Sequence, residues 1–146
     1  MRAHIQRVMK AELYIDATLF ASISKGMLVL LGIHQSDTLT QIPKLIQKII
    51  NLRIFADEVG QMNLDIKNVQ GEILLVSQFT LYADTKKGNR PSFIEAAKPE
   101  AAIHVYENFV TSLAAALPNK VKTGVFGADM QIHLVNDGPV TVLLEV

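Results

Sequence analysis

The apolar and polar positions of this chain change period several times, and each change marks an element. From Met1 to Ile15 the alternations are short, with Ile5 and Arg7 on one parity and Gln6 and Val8 on the other. That pattern suits a strand beside a polar site or an interface. Leu19 to Ser24 reads as a second short strand. Lys25-Gly26 then turns into Met27-Leu28-Val29-Leu30-Leu31, an unbroken apolar run short enough to be a central strand covered on both faces. The period next lengthens: Ile42, Leu45, Ile46, Ile49 and Ile50 recur at helical spacing, with Asp37, Thr38 or Thr40 as the cap. Pro43 falls in the first turn if Thr40 is the cap, where its missing N–H is harmless. The β-branched residues in that stripe weaken an isolated helix, so tertiary packing must hold it. Leu52 to Phe55 reads as a short strand and Asp57 to Gly60 as a turn.

Glu72 to Leu81 is predicted as one strand, and Tyr82 to Arg90 as a polar loop ending in Lys86-Lys87-Gly88-Asn89-Arg90. Pro99 opens a second helix whose stripe is Ala102, Ile103, Tyr106, Phe109, Val110, Leu113 and Leu117, and Pro118 stops it. Phe126 to Met130 leads into a strand at Gln131 to Val135, then a turn at Gly138-Pro139 and a last strand from Val140 to Val146. Repeats and linkers are absent. The expected architecture is α+β: about two helices against a strongly bent, barrel-like, mixed or antiparallel sheet, in a single domain spanning 1–146.

Two stretches do not look built for core packing. Ser77-Gln78-Phe79-Thr80-Leu81 ends an apolar strand in two hydroxyls and an amide, and Asn136-Asp137-Gly138-Pro139-Val140-Thr141 puts a proline where the next strand would use an N–H. Together they read as a site at two strand ends.

Composition narrows what that site does. At 146 residues and 49% hydrophobic content the chain buries a substantial core without staples. Its longest apolar run, Gly26 to Ile33, is too short for a bilayer, and no charged-then-apolar signal segment opens it, so a soluble, unprocessed protein is expected. The absence of cysteine excludes disulfides, thiolate zinc sites and a thiol nucleophile, and fits a cytoplasmic location. Fourteen basic and fourteen acidic residues cancel. A broad nucleic-acid surface needs many neutralised phosphates, so only a small footprint on one end of an RNA fits. The high apolar fraction suggests that some surface is buried in a second copy, a homodimer.

His4, His34, His104 and His133 have no metal-type spacing and read as surface or satisfied histidines, with His133 sharing a face with Gln131 and Val135. Gly26, Gly32, Gly60 and Gly71 are isolated, so no phosphate-binding glycine loop exists. Neither a metal nor a cofactor is expected. Thr80 is a candidate nucleophile, but it is not N-terminal and no histidine adjoins it, so a hydrogen-bonding threonine is the favoured reading. At Gly138-Pro139 the turn chemistry alone favours a trans bond, since the cis form occurs in only about one X-Pro bond in twenty. Lys86, Lys87 and Arg90 read more readily as a solvated loop than as a phosphate clamp.

With both motifs read, the chain resembles the bacterial D-aminoacyl-tRNA deacylases, also called D-tyrosyl-tRNA deacylases, along its full length. The resemblance rests on Met1-Arg2-Ala3 with Ile5-Gln6-Arg7-Val8, on Asn51-Leu52-Arg53-Ile54-Phe55 and Met62-Asn63-Leu64, and on the run from Val76 to Phe93. Gly124 to Met130 and Leu134 to Thr141 complete it. It implies a homodimer that hydrolyses the ester joining a D-amino acid to the 3′-terminal adenosine of tRNA, and accepts glycine mischarged on tRNA(Ala). It further implies a cis Gly138-Pro139 that reaches into the other subunit's site and rejects L-aminoacyl substrates, with Arg7 holding it in orientation. Main-chain groups of Ser77, Gln78, Phe79 and Thr80 would bind the adenosine and stabilise the oxyanion, and the ribose 2′-hydroxyl would assist. Phe126 and Met130 would lie near the adenine, and Lys86, Lys87 and Arg90 near acceptor-stem phosphates. The alternatives are a non-catalytic nucleic-acid-binding dimer on the same fold, or an editing enzyme acting on mischarged L-aminoacyl-tRNA.

Overall fold

In the computed structural model, which describes residues Met1–Val146, the mixed parity of the first fifteen residues resolves into one long strand with two register slips. This strand, β1 (Arg2–Ile15), is the hub of the sheet. Along one edge it pairs antiparallel with β8 (Gln131–Glu145). Along the other it pairs antiparallel first with β3 (Gly26–Gly32) and, beyond Val8, with β2 (Thr18–Ile23). The sheet continues in parallel from β3 to β6 (Glu72–Ser77) and β7 (Val121–Thr123). The result is a mixed sheet bent nearly into a barrel, carrying two helices.

The slips in β1, between Gln6 and Val8 and between Val8 and Lys10, change which parity is buried. Ala3 and Ile5 pack with the helices, whereas Val8, Ala11 and Leu13 join a second cluster on the sheet's other face. β3 and β6 are covered on both faces, which is why their sequences run apolar without alternation. Met27, Val29, Ile73 and Leu75 belong to the helix-side core, and Leu28, Leu74 and Val76 to the second cluster. Where β3 and β6 start, Gly26 has no room for a side chain: a Cβ there would lie 1.9 Å from the Glu72 carbonyl oxygen.

The first helix, α1 (Ile42–Ile50), buries all five stripe residues. Thr38 is the capping residue, closing a 3-10 turn at Leu39–Gln41 through a reciprocal contact with Gln41. The second helix, α2 (Pro99–Ala116), buries Ala102, Val105, Tyr106, Phe109 and Leu113, with Leu117 buried just beyond it. Ile103, expected in that stripe, is 38% exposed, because it stands about 100° round the helix from Ala102; Val105 takes the core position instead. No helix is long and apolar enough to cross a membrane.

Four expectations are corrected. The strand expected over Glu72 to Leu81 stops at Ser77, where Gln78 N–H donates to the Leu31 carbonyl at 2.8 Å and the chain coils into a 3-10 turn at Phe79–Tyr82. Leu52 to Phe55 is not a strand as a whole: only β4 (Phe55–Ala56) pairs, with β5 (Met62–Leu64), in a separate two-stranded ribbon. The two C-terminal strands are one, β8, with Asn136–Val140 as an excursion within it. Gln6 pairs with Thr141 and Val8 with Asn136, so the four residues Asp137 to Val140 stand against Arg7 alone. The Gly138-Pro139 peptide bond is cis, unlike the trans bond that turn chemistry alone favours.

Candidate active site

The end of β6 opens into a cavity of about 1100 Å³. Ser77, Gln78 and Phe79 form its floor, and Val76 and Leu31 lie behind them. One wall is the segment from Phe93 into the first turn of α2, tied back to the end of β3 by Ala97 N–H to the Ile33 carbonyl and Gln35 N–H to the Glu95 carbonyl, both 2.9 Å. The other wall is the loop Phe126 to Met130 with Ile132. Of 21 lining residues 14 are hydrophobic, so the cavity suits an apolar moiety with a few polar groups to orient it.

The floor is held from behind. Gly32 lets the 3-10 turn close on β3: a Cβ there would stand 3.0 Å from Leu81 Cβ and 3.3 Å from the Gln78 carbonyl oxygen. Arg2 lies with its guanidinium carbon 4.5 Å above the Tyr82 ring and donates to the Leu81 carbonyl at 3.0 Å. Burial raises the Tyr82 phenol to about 12. Phe79 is 57% exposed and meets Phe93 edge-on at 5.0 Å, which leaves an aromatic surface at the cavity mouth. Phe126 leans on the Tyr106 ring at 5.8 Å. Tyr106 in turn donates to the Leu75 carbonyl at 3.1 Å, and burial pushes its phenol up to about 12.

Thr80 lies outside the cavity lining, and its hydroxyl oxygen accepts from the Gln78 side-chain amide. An amide neighbour cannot withdraw a hydroxyl proton, so the arrangement holds Thr80 without activating it. The leading N–H groups of a 3-10 turn have no acceptor within it, and here they belong to Phe79 and Thr80.

Lys86, Lys87 and Arg90 lie apart from the cavity, at the exposed tip of a loop closed by Asp84 and Ser92, whose N–H groups each donate to the other's carbonyl. The base of that loop adjoins Phe93, which links it to the cavity wall. None of the three cations takes part in a salt bridge.

Arg7, Gly138 and Pro139 are together but elsewhere. Arg7 Nε donates to the Asp137 carbonyl at 3.2 Å and lies 3.0 Å from the Asp137 carboxylate, while Nη1 donates to the Ile54 carbonyl. A Cβ on Gly138 would come within 3.0 Å of Arg7 Nη2. Asn136 closes the excursion by accepting from Val140 N–H at 3.1 Å. Gly138 and Pro139 are exposed and do not line this chain's own cavity.

The histidines are dispersed. His34 bonds Ser36 at 2.7 Å, His133 meets the Tyr14 ring at 5.0 Å with Gln131 and Val135 on its exposed face, and His104 is exposed on α2. His4 is half-buried, its Nδ1 without a partner. No three metal-ligating side chains converge anywhere. Sequence reading missed Arg2 and Phe93, although both lie within the stretches that carry the resemblance, and it missed Lys98, the one cation on the cavity lining. Only the fold could find Lys98, because its place depends on how α2 meets β3.

The family model described as D-Tyr-tRNA(Tyr) deacylase matches residues 4–145. The chain belongs to this family. Proteins named D-aminoacyl-tRNA deacylase from Flavobacterium psychrophilum and Cytophaga hutchinsonii are 54% and 56% identical to it over 145 residues, covering 99% of this chain and 97% of each relative. Membership makes the chain a hydrolase of ester bonds. A solved structure named "c-Myc DNA Unwinding Element Binding Protein" superposes with a TM-score of 0.96 at 42% identity, covering 100% of this chain and 99% of that one. Another, named "Structural Analysis of a probable eukaryotic D-amino acid tRNA deacylase", superposes with a TM-score of 0.88 over 99% of this chain and 98% of that one. At 15% identity it speaks for the fold alone.

Proposed function

We propose that the protein hydrolyses the ester between a D-amino acid and the 3′-terminal adenosine of tRNA, releasing free D-amino acid and tRNA, and leaves L-aminoacyl-tRNA intact. The observation that carries this is the full-length family match joined to a cavity whose floor is Ser77, Gln78 and Phe79. The adenine packs among Phe79, Phe126 and Met130. The ester carbonyl lies over the start of the 3-10 turn, where the N–H groups of Phe79 and Thr80 receive the oxyanion formed when water adds to the carbonyl carbon. The tetrahedral intermediate collapses with cleavage of the bond to the ribose 3′-oxygen, which leaves protonated, and the neighbouring 2′-hydroxyl relays the proton.

Chirality is set by a second copy of the chain. Gly138 and Pro139 do not line their own cavity, so in a homodimer they act on the partner subunit's. Their carbonyl oxygens bind the substrate's ammonium group and leave no room for a side chain on the L side, so selectivity comes from exclusion. Glycine has nothing to exclude, and glycyl-tRNA(Ala) is a substrate. Lys86, Lys87 and Arg90 touch acceptor-stem phosphates, a footprint small enough for a neutral protein working in the cytoplasm. Incubation with D- and L-tyrosyl-tRNA tests the reading: equal rates, or hydrolysis of neither, would overturn it.

A second reading, nucleic-acid binding without catalysis, draws on the DNA-binding name of the 42%-identical structure and on the unpaired cations of the basic loop. Tight, strongly salt-dependent binding to nucleic acid without an aminoacyl ester would favour it.

A further inference from the structure

We infer that the β4–β5 ribbon is a positioning device for the Gly138-Pro139 excursion, acting through Arg7, with Arg53 and Asn63 as its central residues. Arg7 is the only side chain that hydrogen-bonds to both the excursion and the segment before the ribbon: its Nε holds Asp137 and its Nη1 holds the Ile54 carbonyl. The direction of the guanidinium therefore depends on where the Ile54 carbonyl stands. A ribbon of two and three residues has little stability of its own. Side chains fasten it instead. Arg53, next to Ile54, donates from Nε to the Asn63 carbonyl at 2.7 Å and from Nη2 to the Asn63 side-chain oxygen at 2.9 Å. Asn63 donates its amide to the Asp57 carboxylate at 2.6 Å, and Asp57 accepts Val59 N–H at 3.0 Å and Gln61 N–H at 2.9 Å. These donors hold the Asp57 carboxyl below its ordinary range, the Asn63 amide most of all.

The chain of contacts thus runs from Asp57 through Asn63 and Arg53 to the backbone at Ile54, and from there through Arg7 to Asp137. A bidentate guanidinium fixes direction as well as distance, so the two arginines in series pass on orientation. Neither Arg53 nor Asn63 lines the cavity, so neither has a direct role in the chemistry. Their effect on catalysis rests on the proposed function, in which Gly138 and Pro139 select the substrate's hand.

Asn63→Ala and Arg53→Lys test the inference, with two readouts for each folded variant. In the free protein, amide exchange at Val140, bonded within the excursion to Asn136, is expected to quicken at least about tenfold, since one charge-assisted hydrogen bond already accounts for that factor and Asn63→Ala removes two. In hydrolysis, the ratio of kcat/KM for D- over L-tyrosyl-tRNA is expected to fall by a similar factor, with the D-substrate rate changed less than about threefold. Unchanged exchange and an unchanged ratio in a folded variant would overturn the inference, as would equal losses on both substrates, the mark of general loosening. If the unaltered protein does not discriminate, the functional reading fails and the exchange rates alone decide whether the ribbon holds the excursion. Should Asn63→Ala not fold, Arg53→Lys, which keeps the charge and loses the fork, decides between the same outcomes.

Discussion

Replacing Arg7 by alanine is the most informative single perturbation of this molecule, because it cuts one side chain and frees two segments, the excursion at Asp137 and the backbone at Ile54. The guanidinium is 12% exposed, and its loss removes the bonds to the Asp137 and Ile54 carbonyls and the ion pair with Asp137. A hydrogen bond from a charged donor is worth roughly 1.5–3 kcal/mol by deletion. The ion pair counts for less than about 1 kcal/mol, because the Asp137 carboxylate is 32% exposed and solvent screens it. The contributions share one side chain and do not add in full, so about 2–4 kcal/mol is expected. For a chain of this size each kcal/mol moves Tm by about 2–4 °C, which puts the fall at roughly 5–15 °C. Thermal unfolding followed by circular dichroism reads this directly, and Arg7→Lys, which keeps the charge without the fork, recovers less than half. Under the proposed function, the preference for D- over L-tyrosyl-tRNA falls as well, because the excursion loses its orientation. A Tm within about 2 °C of the unaltered protein, with the preference intact, would refute the clamp.

Thr80→Ala retains hydrolysis of D-tyrosyl-tRNA to within about threefold, since its hydroxyl has an amide neighbour and no base; total loss with the fold intact, seen in single-turnover assays, would restore a nucleophile. Gly26→Ala places a Cβ 1.9 Å from the Glu72 carbonyl oxygen where β3 and β6 pair, so denaturant titration should show a loss of at least about 3 kcal/mol or no folded protein. Tyr82 and Tyr106 both titrate near 12 in the fold, raised by burial from the ordinary 10.0, so the fold favours their neutral phenols. Their contribution is complete below pH 10 and is lost as pH rises toward 12; phenolate absorbance showing both titrating near 10 in folded protein would contradict this.

Much of this was legible from residue order. The five-residue stripe of α1 and the unbroken runs of β3 and β6 each follow from one physical rule, and the structure keeps them. Failures came where a tertiary contact overrides a local pattern. Phe79 to Leu81 look like strand residues, yet Gly32 leaves a gap onto which the turn closes, and no local propensity reports a gap in a neighbouring strand. Asn136-Asp137-Gly138 reads as a hairpin, yet both flanking runs pair with β1, and only long-range register tells a reversal from an excursion. The resemblance supplied what physics left open at the site, namely attention to the backbone of Ser77 to Thr80 and to Arg7 beside Gly138. The side-chain fastening of the ribbon behind Arg7 was invisible in either reading, because its contacts join Arg53, Asn63 and Asp57 across a turn whose geometry only the fold fixes.

A competition in one tube tests the central claim most directly. D- and L-tyrosyl-tRNA are mixed in equal amounts with the protein, and the released tyrosine is resolved by chiral chromatography before either substrate is exhausted. The account predicts D-tyrosine in excess by at least about a hundredfold, since a side chain barred from its site costs several kcal/mol. Equal release of the two hands would contradict it.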